Sequence, residues 1–211
     1  GPFVLLNAAT ITADKMEIEL FGTEANDSQL RKVGALEEAH GGTLYIDEIA
    51  DMPWDTQSRI LRVLVEQQFT RVGGNTKVKV DVRVLSSTAQ NLEKLIKLGS
   101  FREDLFHRLA VVPVHVPPLS QRREDIPALV SAFMNQIARQ SGISNCRIGD
   151  DAMVVLQAHD WPGNIRQLRN VIERMVLLRD SDRVLPCEVP GEITQRVSER
   201  ADDLPFALPA Q

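Results

Sequence analysis

The stretch "GGTLYIDEIADMP", residues 41 to 53, decides how the rest of the chain is read. An apolar run, Leu44-Tyr45-Ile46, ends abruptly in two carboxylates, Asp47 and Glu48. A short apolar run bounded by glycines reads as a buried strand. Two explanations of the acids stand open on these residues alone. In one, the strand surfaces and the acids are solvated. In the other they face the crevice at the C-terminal end of a parallel sheet, where open α/β sheets bind ligands. One aspartate on Mg2+ beside a second acid able to orient water is how phosphoryl-transfer sites are assembled.

Working outward, the 211 residues are 43% hydrophobic and 25% charged, enough for a soluble unit of one domain or two small ones with a sizeable core. The longest nearly apolar stretch, "LAVVPVHVPPL", is too short and proline-rich to span a bilayer, and nothing at the N-terminus reads as an export signal. The expected location is the cytoplasm, without membrane contact. Cys146 and Cys187 make no metal spacing and read as free thiols. A net charge of -5 argues against general nucleic-acid coating by this segment.

The flanking pattern alternates. "FVLLN" reads as a short buried strand and "LRKVGALEEAH" as a helix stopped by Gly41-Gly42. Asp51 and Pro53 suggest a cap and first turn, followed by a helical stripe of Ile60, Leu61, Leu64 and Val65. "FTRVGG" and "KVKVDVRVLSS" read as strands around a Gly73-Gly74-Asn75 turn, "NLEKLIKLG" and "EDLFHRLA" as short helices, and "VVPVHV" as a further strand. Strands alternating with helices predict a mostly parallel α/β sheet. From Glu124 onward "EDIPALVSAFMNQIARQSG", "DDAMVVLQAHD" and "NIRQLRNVIERMVLLRD" predict three amphipathic helices, with no strand before the tail. The final "RADDLPFALPAQ" suits a linker.

The ordered string "NAATI…ELFGTE…GGTLYIDEIADMP…QSRILRVLVEQQFTRVGG…VDVRVLSST…FREDLFHRLAVVPVHVPPLSQRREDI…WPGNIRQLRNVIER" resembles the central AAA+ domain of bacterial enhancer-binding proteins. These are ATPases that remodel sigma-54 RNA polymerase, and the wording around "ELFGTEAND" is similar to a nitrogen-regulation response-regulator branch. The resemblance implies an AAA+ P-loop-type parallel sheet over residues 1–120, without its N-terminal P-loop portion. A small helical lid over 121–190 and a linker over 191–211 toward a DNA-binding domain outside the chain would follow. It implies ATP and Mg2+ as cofactors, self-association through this domain, RNA polymerase as a partner, and a sensor histidine kinase acting through a receiver domain elsewhere.

Residue by residue, the resemblance makes Asp47 and Glu48 a Walker B pair: Asp47 would hold Mg2+ through water, and Glu48 would polarise the attacking water. Asn7 matches a switch asparagine held to restrain the catalytic glutamate; without the family, it is an amide closing a strand end. Arg102 and Arg108 match arginine fingers given in trans, close enough in sequence to approach one phosphate cluster. Arg166 matches the sensor II arginine of the lid, or else is a partner for Asp160. Thr88 and Asn91 lie in the sensor I segment, altered here to "STAQN". "FTRVGGNTKVKV" corresponds to a surface hairpin that in the family assists target contact.

Two departures qualify the resemblance. No "GxxxxGK" phosphate loop occurs, so it is expected upstream of Gly1, and poor or no ATP turnover is expected of these 211 residues alone. The family's GAFTGA loop, its sigma-54 contact, is replaced by "TEANDSQLRKV", which has neither glycine nor aromatic residue and whose Glu24, Asp27, Arg31 and Lys32 suit solvent. Contact with sigma-54 in the family's usual mode is therefore not expected. At this point a hydrolysing ring ATPase and a nonhydrolysing nucleotide-binding oligomerisation module of a DNA-binding regulator both remain open.

Overall fold

The computed structural model describes residues 1–25, 30–142, 147–178, 183–184, 189–191 and 193–194. The chain forms two compact units, Gly1–Val114 and His115–Gln211. In chain order the first unit holds β1 (Phe3–Asn7), α1 (Ala13–Phe21), α2 (Ala35–Glu38), β2 (Gly42–Asp47), α3 (Trp54–Glu66), β3 (Gln68–Thr70), β4 (Lys77–Lys79), β5 (Val82–Ser86), α4 (Leu92–Lys97) and α5 (Glu103–Leu109).

The predicted parallel α/β sheet is present, with strand order β1-β2-β5 and both pairings parallel. Leu44 and Ile46 on the central strand are fully buried, and they pack with Leu6, Met16, Leu20, Phe21, Leu36, Ile60 and Leu105 in one core. Each such side chain contributes roughly 1.5–3 kcal/mol when removed from water. β1 departs from the buried strand expected: Leu6 is inside, but Phe3 and Leu5 on the opposite face are 66% and 64% exposed. The same face is less covered across the sheet, for Tyr45 and Leu85, which lie in register with Leu5, are not buried either.

Other differences have local causes. The helix expected over "LRKVGALEEAH" shrinks to the four residues of α2, because Gly34 must lie against Gly22. A Cβ on Gly34 would stand 2.3 Å from the Gly22 nitrogen, so the backbones touch and the chain before Gly34 stays extended. Pro53 occupies the N-cap position of α3, while Asp51 belongs to a preceding 3-10 turn. On α3 Ile60 is buried with Leu61 and Leu64 partly so, but Val65 is 61% exposed and Val63 takes the inward place. β3 and β4 form the expected hairpin, but "KVKVDVRVLSS" is not one strand: β4 ends at Lys79 and β5, which begins at Val82, joins the parallel sheet. "VVPVHV" forms no strand: Val111, Val112, Val114 and Val116 are exposed. Pro113 offers no N–H, and no strand among the described residues pairs with it.

The stems of "TEANDSQLRKV" are tied down. Thr23 bridges to Lys32 and to Val72 of the hairpin. Arg71, 8% exposed, donates from Nε and Nη2 to Glu37 at 3.0 Å each and from Nη1 to Glu24 at 2.9 Å. Arg31 reaches Glu37 at 2.6 Å and Lys32 reaches Glu19 at 2.5 Å. Arg31 and Lys32 are ion-paired yet stay exposed, as charges suited to solvent, whereas Glu24 is drawn partly inward by Arg71; Asp27 lies outside the described residues.

The second unit contains α6 (Ile126–Ser141), β6 (Arg147–Ile148), α7 (Asp150–Ala158), α8 (Asn164–Leu178) and β7 (Arg183–Val184). The three predicted helices form, with Val130, Leu156, Trp161, Leu168 and Ile172 in a common core. β6 pairs with β7, a strand before the tail that the sequence pattern did not reveal. Arg123 donates to the carbonyls of Gln157 and Ala158 at 3.2 and 2.8 Å and to Asp160 at 2.6 Å, satisfying the last carbonyls of α7. Cys146, Cys187 and residues 195–211 lie outside the described residues; at the head of the expected linker Ile193 is fully buried in the second core rather than free of it. Among the described residues no helix is long and apolar enough to cross a membrane.

Candidate functional site

Asp47 is the last residue of the central strand, and the register sets Asn7 of β1 directly opposite it. Both carboxylate oxygens have donors: Asn7 Nδ2 to Oδ2 at 3.0 Å, and Ser87 Oγ to Oδ1 at 2.6 Å. The next residue, Glu48, has φ 53°, a left-handed conformation that a side-chain-bearing residue adopts at a cost of order 1 kcal/mol. That turn breaks the up-down alternation of the strand, so both acids reach the segment leaving β5. Glu48 Oε2 accepts from the Ala89 N–H at 3.1 Å and from Thr88 Oγ at 3.4 Å.

These contacts revise two expectations. Asn7 holds Asp47, not the glutamate, and its own Oδ1 accepts from the Ala9 N–H at 3.0 Å. Glu48 is held instead by Thr88 and Ala89. Asn91 does not join them: it is the N-cap of α4, its Oδ1 accepting from the Lys94 N–H at 2.9 Å, a role Asn fills by geometry alone.

Arg102 and Arg108 do not converge within the chain. Arg102 sits at the N-cap of α5 and Arg108 in its last turn, so about 9 Å of helix rise separates them. Arg102 makes a bidentate pair with Asp104 at 3.0 and 2.7 Å, donates to Ser58 at 3.1 Å and lies over the Trp54 ring. Hydrogen bonds from Arg102 hold the Asp104 carboxyl below its ordinary range, and the same bonds raise the guanidinium. Arg108 donates to the Leu64 carbonyl at 2.8 Å. In the second unit Arg166 is exposed on α8, in a cleft of about 620 Å3 shared with Gln167, Asn170 and Arg174. Asp160, its alternative partner, is paired with Arg123.

The oxygen donors around Asp47 suit a hard cation. No group of three His, Cys, Asp or Glu among the described residues forms a metal cage. Mg2+ does not need one, since it retains water and is held by one or two carboxylates together with substrate phosphates. Asp47, with lone pairs left beyond its two hydrogen bonds, fits that pattern.

Sequence reasoning missed Ser87 and the Ala89 N–H. Their signal was the register of β2 on β5, which pairs Ile46 with Ser86 and hence sets Ser87 beside Asp47. That register is not readable from either strand alone.

Residues 1–115 match the family described as the sigma-54 interaction domain, more than half of the chain, and residues 120–205 match the AAA+ ATPase lid domain. The chain belongs to the sigma-54 interaction domain family. This sigma-54 interaction domain is 59% identical over 182 residues to the nitrogen assimilation regulatory protein NtrX of Azorhizobium caulinodans, covering 86% of the chain and 40% of the relative. It is 47% identical over 196 residues to the DNA-binding transcriptional regulator NtrC of Escherichia coli, covering 92% of the chain and 42% of the relative. The crystal structure of NtrX from Brucella abortus in complex with ATP superimposes with a TM-score of 0.85 at 62% identity, covering 100% of the chain and 46% of that structure. The sigma-54 interaction domain therefore has the AAA+ fold and is NtrX- and NtrC-like, and it spans less than half the length of these relatives.

Proposed function

We propose that the chain is the central ATP-binding, ATP-hydrolysing and oligomerisation domain of a two-component transcriptional response regulator of nitrogen-related signalling. The observation that carries this is the acidic pair at the end of β2, each acid gripped by the exit of β5. Residues 1–120 act as the α/β core, 121–190 as the lid, and 191–211 as a linker toward a DNA-binding domain. Phosphorylation by a sensor histidine kinase and contact with RNA polymerase belong to the whole regulator, acting in the cytoplasm. The NtrX complex with ATP supports nucleotide as the ligand.

Asp47 holds Mg2+, which when bound neutralises charge developing on the phosphates. Asn7 and Ser87 keep the Asp47 carboxylate in one plane. Glu48 accepts the proton of the attacking water once it leaves Thr88 and Ala89. Thr88 is the sensor I residue that couples this movement to the nucleotide. Arg102 and Arg108 serve a neighbouring subunit, for which Arg102 must exchange Asp104 for phosphate. Arg166 is the sensor II arginine of the lid.

Calorimetric titration of ATP into the full-length protein tests this reading. Mg2+-dependent binding, with Asp47→Asn losing the Mg2+ dependence, is the expected result. No binding in the presence of Mg2+ contradicts it.

A further inference from the structure

We propose that Ser87 is a positioning residue for the Asp47 carboxylate, and that it sets how readily this site takes a divalent cation. The inference rests on the reading of Asp47 as the Mg2+ residue.

Ser87 is fixed on three sides. Its N–H donates to the Ile46 carbonyl at 3.0 Å and its carbonyl accepts from the Ile49 N–H at 2.9 Å, so its backbone brackets the acidic pair from both ends. Its hydroxyl donates to Asp47 Oδ1 at 2.6 Å, in the short range of hydrogen bonds to an ionised acceptor. The backbone bonds hold its Cα in place beside Asp47, so that only χ1 is left to aim the hydroxyl.

The arrangement is also two-sided. Asp47 ends the central strand, and each neighbouring strand supplies one donor: Asn7 from β1 to Oδ2, and Ser87 from just beyond β5 to Oδ1. Two bonds to two different oxygens fix the plane of the carboxylate, whereas one leaves it free to rotate about that bond. A carboxylate carries about four lone-pair sites, so two remain for a cation or its water. Groups that orient a metal-binding carboxylate in this way commonly change metal affinity by 10–100-fold when removed. The third residue of the same segment, Ala89, gives its N–H to Glu48, so one short stretch aims both acids.

The test is binding of a fluorescent ADP analogue to the full-length protein, titrated with Mg2+ and repeated in EDTA. Ser87→Ala is expected to raise the half-saturating Mg2+ concentration about tenfold while metal-free affinity stays within about twofold. Ser87→Thr, which keeps the hydroxyl, is expected to restore the wild-type midpoint; this also covers a failure of the alanine variant to fold. A Ser87→Ala midpoint within twofold of wild type, or an equal loss of metal-free affinity, overturns the inference alone. A wild-type protein that binds no nucleotide, or binds it without regard to Mg2+, overturns the reading of Asp47 and this inference with it.

Discussion

Replacing Arg71 with methionine removes a cation that ties the hairpin to Glu24 in the loop at residues 23–33 and to Glu37 on α2, while keeping most of the aliphatic volume. Arg71 is 8% exposed; its partners Glu24 and Glu37 are 32% and 22% exposed at the side chain. Removing one member of a fully buried pair costs about 3–5 kcal/mol, and an exposed pair is worth about 0–1 kcal/mol. With the guanidinium buried and the glutamates partly wet, about 2–3 kcal/mol is expected. Desolvation works against the Arg71 charge, yet its hydrogen bonds to Glu37 and Glu24 offset it and leave the guanidinium raised. The loss falls first on the bridges of Thr23 to Lys32 and Val72. Hydrogen exchange at the Thr23, Glu24 and Lys32 amides should accelerate roughly 30- to 160-fold, the ratio equivalent to that free energy, with smaller change at Leu44 and Ile46 in the central strand. Arg71→Lys should not rescue, because an ammonium cannot make the bidentate pair with Glu37. Exchange at the three stem amides within threefold of wild type refutes the reasoning.

Arg102→Ala or Arg108→Ala in the full-length protein should spare nucleotide binding but cut turnover, by up to about a thousandfold for a true finger. Mixing either with Glu48→Gln protein should restore part of the activity, since the two defects then fall in different subunits; no recovery in assemblies shown to be mixed places the arginines in cis. Sigma-54 binding to the full-length regulator with ATP should be weak in the family's usual mode, as "TEANDSQLRKV" has no glycine for tight reversal and no aromatic tip. Tight, nucleotide-dependent binding that is lost on changes within residues 23–33 contradicts this.

The central strand and its acidic end were legible because three apolar residues between glycines and paired carboxylates admit few placements. Helices with a long apolar stripe, such as α8, were equally plain. What the pattern concealed depends on partners distant in sequence. "VVPVHV" has strand chemistry but no strand beside it among the described residues, and residues 30–33 have helical composition but are held extended by the contact of Gly34 with Gly22. The site divides the same way. Asp47 and Glu48 stood out from their strand, whereas the partner of Asn7 depended on the β1 to β2 register, and Ser87 on the register of β5. Between Thr88 and Asn91 the sequence could not choose, because a helix cap and a polar site residue share one side-chain chemistry; the Lys94 N–H three residues on makes Asn91 the cap.

The central claim is that Glu48 activates water at a site Asp47 helps to build. Phosphate release from ATP by the full-length protein, measured beside Glu48→Gln with nucleotide binding followed in parallel, tests it most directly. The account predicts Mg2+-dependent turnover by the wild type and binding by Glu48→Gln within about threefold of it, with turnover reduced at least about a hundredfold. Equal turnover in the two proteins, or a wild type that binds ATP and releases no phosphate, contradicts it.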